Sequence, residues 1–168
     1  DLLAKKKVEL SRLMTREMGK VLKEAEGDVQ EGVDTAYHVA AEGRRLFGET
    51  TTSELPERFA MSIRVPVGIC GLITPWNFPI AIPTWKIFPA LLCGNAMVFK
   101  PAEDTPACAV EFVKILAEAG LPKGVVNLVL GDGETGQALV RNEQVRLISF
   151  TGSSEVGREV AEHCGKSL

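Results

Sequence analysis

The first 57 residues carry the hydrophobic spacing of helices. Apolar side chains recur at steps of three and four residues along Leu10–Ala25 and again along Val29–Phe47, which predicts two amphipathic helices. Gly27 and Asp28 lie between the two patterns and predict the break between the helices. The polar segment GETTTSELPE, residues 48–57, predicts a loop after the second helix.

The next segment, RFAMSIRV at residues 58–65, alternates between apolar and mostly polar positions. Side chains two residues apart share one face of an extended chain. The alternation therefore predicts a half-buried strand with one face in water. The apolar face would consist of Phe59, Met61, Ile63 and Val65.

After Pro66 the pattern changes to short apolar runs, each followed by a helical pattern. Three of the runs are apolar throughout, as in strands that are covered on both faces. Regular alternation of strands and helices predicts an α/β fold with a doubly wound parallel sheet. The predicted strands are Gly68–Ile73, Ala96–Phe99, Val125–Leu130 and Arg146–Phe150. The predicted helices are approximately Pro79–Cys93, Pro106–Ala119, Glu134–Arg141 and Glu155–Cys164.

Composition and net charge exclude several classes of binding partner. A net charge of -3 argues against nucleic acid and anionic membranes as partners. No apolar run reaches the roughly 18 residues that a membrane span needs, and the first residues have no signal-peptide core. The four cysteines are far apart, without a CxxC pair or a histidine at ligand spacing. We therefore expect free thiols in the cytoplasm, no metal site and a small-molecule ligand.

Ligands of doubly wound sheets bind at the carboxyl ends of the strands, so the loops there are the candidates. The loop GDGETG, residues 131–136, matches the G-x-G-x-x-G of a dinucleotide-binding turn. That fingerprint also requires an acidic residue about 20 residues later. The next strand ends in Ser149-Phe150-Thr151 instead. The motif is therefore either part of a cofactor pocket or a tight turn that needs glycine for its backbone.

The loop FTGSSEVG, residues 150–157, fits a phosphate better. Ser153 or Ser154 is placed to cap the following helix. The free N–H groups and positive dipole end of a helix start suit a phosphate, and Gly152 allows close approach of the backbone. The alternative interpretation is an ordinary serine cap with no ligand.

The loop FKPAEDTP offers a partner for a ribose. Lys100 ends a predicted strand and Glu103 follows three residues later. An ammonium and a carboxylate side by side can grip a ribose diol through hydrogen bonds. The alternative is a surface ion pair, which contributes little.

The segment ITPWNFPIAIP brackets a polar amide with prolines and aromatic rings. Asn77 has two N–H donors, and a stiff donor aimed at a developing oxyanion lowers a reaction barrier by roughly 2.7–4 kcal/mol. The alternative is an asparagine that satisfies the backbone of its own turn. Lys86 lies in the apolar helix that follows, where it either extends its charge to water or has a shifted pKa.

Five motifs occur in this order: ITPWNFP, WK, FKPAEDTP, GLPKGVVNLVLGDG and FTGSSEVG. Together they resemble the NAD(P)-dependent aldehyde dehydrogenase superfamily, and REMGKVLKEAEGDV is similar to its N-terminal helix. The resemblance covers essentially the whole chain. It implies a partial Rossmann-like cofactor domain at residues 68–168 and helices at residues 1–57 that pack on it. Residues 58–67 would be a strand of an oligomerisation hairpin, whose partner strand would come from the missing C-terminus or from another subunit.

The resemblance also implies roles for single residues. Asn77 would be the oxyanion donor, and Lys86 matches a lysine sometimes assigned to a proton relay. Glu103 favours NAD, although NADP remains possible. GDGETG would form at most a wall of the adenine pocket. The implied cofactor-binding residues are Thr74, Pro75, Trp76, Asn77, Lys100, Pro101, Ala102, Glu103, Gly131, Gly133, Thr151, Gly152, Ser153, Val156 and Gly157.

The implied reaction is oxidation of an aldehyde to a carboxylate through a cysteine thiohemiacetal and thioester, in a cytoplasmic homo-oligomer. The nucleophilic cysteine and general-base glutamate of the family lie in motifs after FTGS. We expect the catalytic domain to be absent from these 168 residues and the chain to be inactive alone.

Three other interpretations stay open at this stage. The chain is compatible with a non-catalytic dinucleotide-binding module or with an interaction protein that uses its alternating strand. A reductase of acyl phosphates on the same scaffold is also compatible, although Asn77 within PWN favours the dehydrogenase.

Overall fold

The computed structural model describes residues 1–166 and begins with helices. These are α1 (Leu2–Lys5), α2 (Lys7–Met18) and α3 (Leu22–Glu42), followed by a 3-10 turn at Gly43–Arg45.

The break between the two long helices was predicted at Gly27 and Asp28, which is wrong: both residues lie inside α3. The break falls at Gly19, whose φ of 79° is the left-handed conformation that ends a helix. A glycine inside a helix costs only about 1 kcal/mol. The buried neighbours of Gly27, Ala25 and Val29, pack against the core and hold α3 continuous.

A small antiparallel sheet follows, in which β1 (Thr50–Thr52) pairs with β2 (Phe59–Met61). The predicted strand at residues 58–65 is therefore shorter than expected. Among the described residues it pairs with β1, which lies inside the predicted loop at residues 48–57, so the prediction of a loop is wrong at Thr50–Thr52. The apolar face was expected to be half-buried, but Phe59 and Ile63 are exposed because none of residues 1–166 packs over them.

The prediction of an α/β fold with a parallel, doubly wound sheet is confirmed. The sheet order is β5-β4-β3-β6, and all neighbouring strands run parallel. Every predicted strand–helix pair is present, with bounds that differ by a few residues. The strands are β3 (Ile69–Ile73), β4 (Ala96–Lys100), β5 (Val126–Leu128) and β6 (Val145–Phe150). The helices are α4 (Ala81–Leu92), α5 (Pro106–Glu118), α6 (Gly133–Val140) and α7 (Ser154–Gly165).

The main core lies between one face of the sheet and the helices α4 and α5, and α2 and α3 pack against those helices. Leu72, Met97 and Phe99 fill this core from the strands. On the other face, α6 packs closely over β3 at Gly71. A Cβ atom there would lie 3.1 Å from Cγ of Leu139 in α6 and 2.6 Å from Cδ1 of Ile148 in β6, so a larger residue would push α6 away.

Replacement of a core ring tests this packing. We expect Phe99→Ala to lower the free energy of unfolding by about 3–5 kcal/mol, because the side chain is fully buried and leaves a cavity. The matched control is Phe47→Ala, since Phe47 is largely exposed. Denaturant unfolding should separate the two variants, and equal losses of stability would contradict the placement of the core.

Candidate functional site

The loops after β3, β4 and β6 all begin at the carboxyl end of the sheet. The backbone N–H of Thr74 donates to the carbonyl of Lys100 at 3.2 Å, and the N–H of Thr151 donates to the carbonyl of Ile73 at 3.0 Å. The chain leaves β3 for β4 on one side, while β6 lies on the other side of β3. The carboxyl ends of β3 and β6 therefore form the switch point at which doubly wound sheets bind ligands.

A cleft of about 500 Å³ opens at this switch point, a volume typical of small-molecule sites. The sequence-predicted residues that line it are Thr74, Pro75, Lys100, Ala102, Glu103, Gly133, Thr151, Gly152, Ser153 and Val156. The remaining predicted residues do not line it, namely Trp76, Asn77, Lys86, Pro101, Gly131 and Gly157.

The helical walls of the cleft were not among the residues predicted from the sequence. One wall comes from α6 through Gly136 and Val140, and the other comes from α7 through Val160 and His163. These residues continue the helical spacing that starts at Gly133 and Val156. A search along the helices after each predicted loop would have found them.

Two helix N-termini reach the cleft, but only one suits an anion. At the start of α6, the Asp132 carboxylate lines the cleft and accepts the N–H of Glu134 at 3.0 Å. At the start of α7, the neutral Ser153 hydroxyl accepts the N–H of Val156 at 3.3 Å. Although Glu155 lies in the first turn of α7, it does not line the cleft. The first turn of α7 therefore places no carboxylate at the cleft, which suits an anion better than the start of α6 does.

Lys100 and Glu103 form an ion pair at the cleft, with 3.3 Å between Nζ and Oε2. The Lys100 side chain is 6% exposed and the Glu103 side chain is 59% exposed, so the pair joins a buried ammonium to an accessible carboxylate. A hydrogen bond from its own backbone N–H, followed by the hydrogen bond from Lys100, lowers the pKa of Glu103. The carboxylate therefore stays charged and accepts hydrogen bonds, a chemistry that suits a diol.

Thr74 gives the cleft an unmet hydrogen-bonding group. The residue is 3% exposed, and its Oγ1 has no partner among residues 1–166. A buried hydroxyl without a partner costs about 1–3 kcal/mol. A bound cofactor with polar groups at this wall fits that need.

Asn77 lies in the loop after β3, beside the cleft. Its side chain is exposed and makes no hydrogen bond within the described part of the chain. Its backbone carbonyl accepts the Lys20 Nζ at 2.7 Å. The amide is therefore available to a ligand and does not satisfy the backbone of its own turn.

Lys86 lies on the other face of the sheet from the cleft. Its Nζ donates to Oγ of Ser149 at 3.0 Å, and burial lowers the pKa of Lys86. Both residues line a second cavity of about 750 Å³, together with Cys70 and Leu72. The structure therefore does not bring Lys86 together with the cleft residues.

The two buried cysteines lack the features of a nucleophile. Cys70 and Cys108 are buried, and burial is the main cause that raises the pKa of each. A raised pKa disfavours the reactive thiolate. Within residues 1–166, no group of histidine, cysteine and acidic side chains could hold a metal ion. No helix in the same range is long and apolar enough to cross a membrane.

The sheet order and the cleft define a doubly wound α/β protein with a ligand-sized cleft at its switch point. Residues 1–168 match the aldehyde dehydrogenase family, and the chain belongs to that family.

Individual relatives agree with this assignment. The chain is 41% identical to α-ketoglutaric semialdehyde dehydrogenase of Bacillus subtilis, over 96% of this chain and 33% of that protein. It is 42% identical to the NADP(+) succinate-semialdehyde dehydrogenase GabD of Escherichia coli, over 95% of this chain and 33% of that protein.

The fold is similar to an NAD-dependent aldehyde dehydrogenase from Sinorhizobium meliloti, with a TM-score of 0.95, 34% identity and coverage of 100% of this chain and 34% of that one. A betaine aldehyde dehydrogenase from Staphylococcus aureus in complex with NAD+ has a TM-score of 0.94 and 33% identity, over 99% of this chain and 34% of that one. The chain thus spans about a third of the length of these relatives.

The Lys100–Glu103 pair has a testable effect on titration. The pKa of Glu103 is lower in the folded than in the unfolded chain, so its charge stabilises the fold above the unfolded pKa. This contribution is lost as the pH falls through the folded pKa. In Lys100→Met we expect the pKa of Glu103 to rise, yet to stay below its usual value because the bond from its own N–H remains.

NMR titration of the Glu103 carboxyl carbon measures this pKa directly. The matched control is Lys114→Met. This change removes the ion pair between Lys114 and Glu111 of α5, whose two residues are also three positions apart. An unchanged Glu103 pKa in Lys100→Met would show that the pair does not form.

Proposed function

We propose that this chain is the cofactor-binding part of an NAD(P)-dependent aldehyde dehydrogenase that oxidises an aldehyde to a carboxylate. One observation carries the proposal: a single cleft joins the Lys100–Glu103 pair to the N-terminus of α7, with the Asn77 loop beside it. In this proposal the helices within residues 1–57, which end before β1, pack on a cofactor domain at residues 68–168. Residues 58–67 belong to an oligomerisation hairpin.

The residues at the cleft fit a dinucleotide. Lys100 and Glu103 would hold the adenosine ribose, and Gly152 and Ser153 would hold the pyrophosphate. Thr74 would supply its unpartnered hydroxyl. The other predicted contacts, at Pro75, Trp76, Asn77, Pro101, Ala102, Gly131, Gly133, Thr151, Val156 and Gly157, belong to the same proposal. When bound, the oxidised nicotinamide accepts a hydride from the substrate.

We propose NAD as the preferred form of the cofactor. The Glu103 carboxylate is charged and accessible, so it would repel the 2′-phosphate of NADP. The relatives include an NADP(+) enzyme and an NAD-dependent enzyme, so the family accommodates both.

Asn77 would act on the substrate. A cysteine thiolate that adds to an aldehyde leaves negative charge on the carbonyl oxygen, and an amide N–H placed there stabilises that charge. The exposed amide of Asn77 has both donors available for this role. Lys86, with its lowered pKa, would hold or release a proton near Ser149.

We also propose that the enzyme is a cytoplasmic homo-oligomer. The apolar face formed by Phe59, Met61, Ile63 and Val65 is exposed on adjacent extended backbone, and a second copy of the protein would cover it. The free thiols at Cys70, Cys93 and Cys108 favour a reducing compartment.

Loss of the Asn77 donor tests the reaction. In the whole enzyme we expect Asn77→Ala to lower kcat about 10²–10³-fold, since one oxyanion donor contributes that much. Formation of reduced nicotinamide, followed with a panel of aldehydes, measures the rate. Asn142→Ala, at the amino end of β6, is the control and should behave as wild type. A kcat that stays at the wild-type value in Asn77→Ala would refute the assigned role.

Loss of the Lys100 ammonium tests the cofactor site. We expect Lys100→Met to raise the Kd for NAD+ about 10–100-fold, because a hydrogen bond to a charged group contributes roughly 1.5–3 kcal/mol. Calorimetry on the whole enzyme measures this constant, with Lys114→Met as the control. Equal affinities for the two variants would place the ribose elsewhere.

A further inference from the structure

A buried ion pair lies outside the cofactor cleft and outside the second cavity. Nζ of Lys20 lies 2.9 Å from Oδ2 of Asp28, and the two side chains are 8% and 0% exposed. Burial of two charges costs desolvation energy that their attraction does not always recover. Such a pair is therefore weak evidence for added stability. The backbone groups that Lys20 and Asp28 bind are more informative about the role of the pair.

Lys20 holds the turn that carries Asn77. Its Nζ donates to the backbone carbonyl of Asn77 at 2.7 Å and lies 3.7 Å from the centroid of the Phe78 ring. The ammonium is thus shared between the Asp28 carboxylate, a peptide carbonyl and an aromatic face. These partners come from α3 and from the loop after β3, so Lys20 connects the two.

Asp28 holds the other end of the same loop. Its Oδ1 accepts the backbone N–H of Ala81, the first residue of α4, at 2.7 Å. Ile80 precedes that residue and has no side-chain acceptor to cap the helix. The carboxylate from α3 takes the place of the missing cap. Lys20 and Asp28 together therefore hold the loop at Asn77–Phe78 and at Ala81.

The Asn77 side chain has no anchor of its own among the described residues. A donor to an oxyanion is effective only when it is fixed before the reaction. A displacement of about 1 Å in such a group can cost 10²-fold in rate. The orientation of the amide thus depends on how firmly its backbone is held, and the contacts of Lys20 supply that hold.

We propose that Lys20 is a positioning residue: its ammonium, oriented by Asp28, fixes the Asn77–Phe78 turn so that the Asn77 amide is held for the substrate oxygen. The proposal rests on the proposed role of Asn77. Lys20 does not touch the substrate or the cofactor in this scheme and acts through Asn77.

The protein should tolerate loss of the Lys20 charge. Burial raises the pKa of Asp28, and the hydrogen bond from Lys20 opposes that rise. In Lys20→Met the opposing contact is gone, so Asp28 can take up a proton rather than remain as an unpaired buried charge. The variant is therefore expected to fold with a loosened Asn77 turn.

A double-mutant cycle in the whole enzyme tests the proposal. We expect Lys20→Met to lower kcat about 10–100-fold. In an Asn77→Ala background the same change should lower kcat no further, because the group that it positions is already gone. Lys6→Met, which removes the exposed pair with Glu118, is the control and should keep wild-type kinetics. Equal losses of kcat in the two backgrounds would overturn the proposal.

A spectroscopic readout separates this proposal from the proposed function. In a Trp85→Phe background, Trp76 is the remaining tryptophan of these 168 residues and lies next to Asn77. The difference from the same protein with Trp76→Phe isolates its emission. We expect Lys20→Met to change the emission and raise the mobility of Trp76, whereas Lys6→Met should not. If the wild type oxidises no aldehyde but Trp76 responds in this way, the proposed function fails while the turn is still held by Lys20. An unchanged Trp76 signal in Lys20→Met overturns the positioning role whatever the activity.

Discussion

The structure depends on two carboxylates of the N-terminal helices that cap helices of the parallel sheet. Glu17 accepts the backbone N–H groups of Ala107 and Cys108 at 2.6 and 2.9 Å, and Asp28 accepts the N–H of Ala81 at 2.7 Å. The first N–H groups of a helix have no partner inside the helix. A charged acceptor there also meets the positive end of the helix dipole. The starts of α4 and α5 are thereby fixed to α2 and α3, and the loops after β3 and β4 are fixed with them.

At the carboxyl end of the sheet, charge distinguishes two loops that are otherwise similar. Both α6 and α7 begin at the cleft, yet the start of α6 carries the Asp132 carboxylate and the start of α7 carries the Ser153 hydroxyl. The charge at the first would repel a phosphate, and we therefore propose the second as the phosphate site. The G-x-G-x-x-G match at residues 131–136 is therefore a poor guide to the phosphate site, although Gly133 does line the cleft.

Most of the sheet, and the end of the sheet at which the cleft lies, could be predicted from the sequence. The apolar runs and the helical spacing after Pro66 gave the parallel strands and the loops that converge, because each pattern reflects burial within a short stretch of chain. The break near Gly19 and the strand at Thr50–Thr52 were not predicted, because the apolar pattern of the local sequence does not mark either of them. A strand of three threonines has no apolar face, so its pairing with β2 is decided by the partner strand rather than by its own pattern.

The sequence by itself determined the alternation of strands and helices, the position of the glycines and prolines in the loops, and the charge of Lys100 and Glu103. Only the tertiary structure decided that Lys86 faces the second cavity and that Lys20 and Asp28 hold the Asn77 loop. Asp28 and Ala81 are 53 positions apart in the chain, and Glu17 and Ala107 are 90 apart. Such contacts arise from the packing of whole helices against the sheet, which local hydrophobic periodicity does not record.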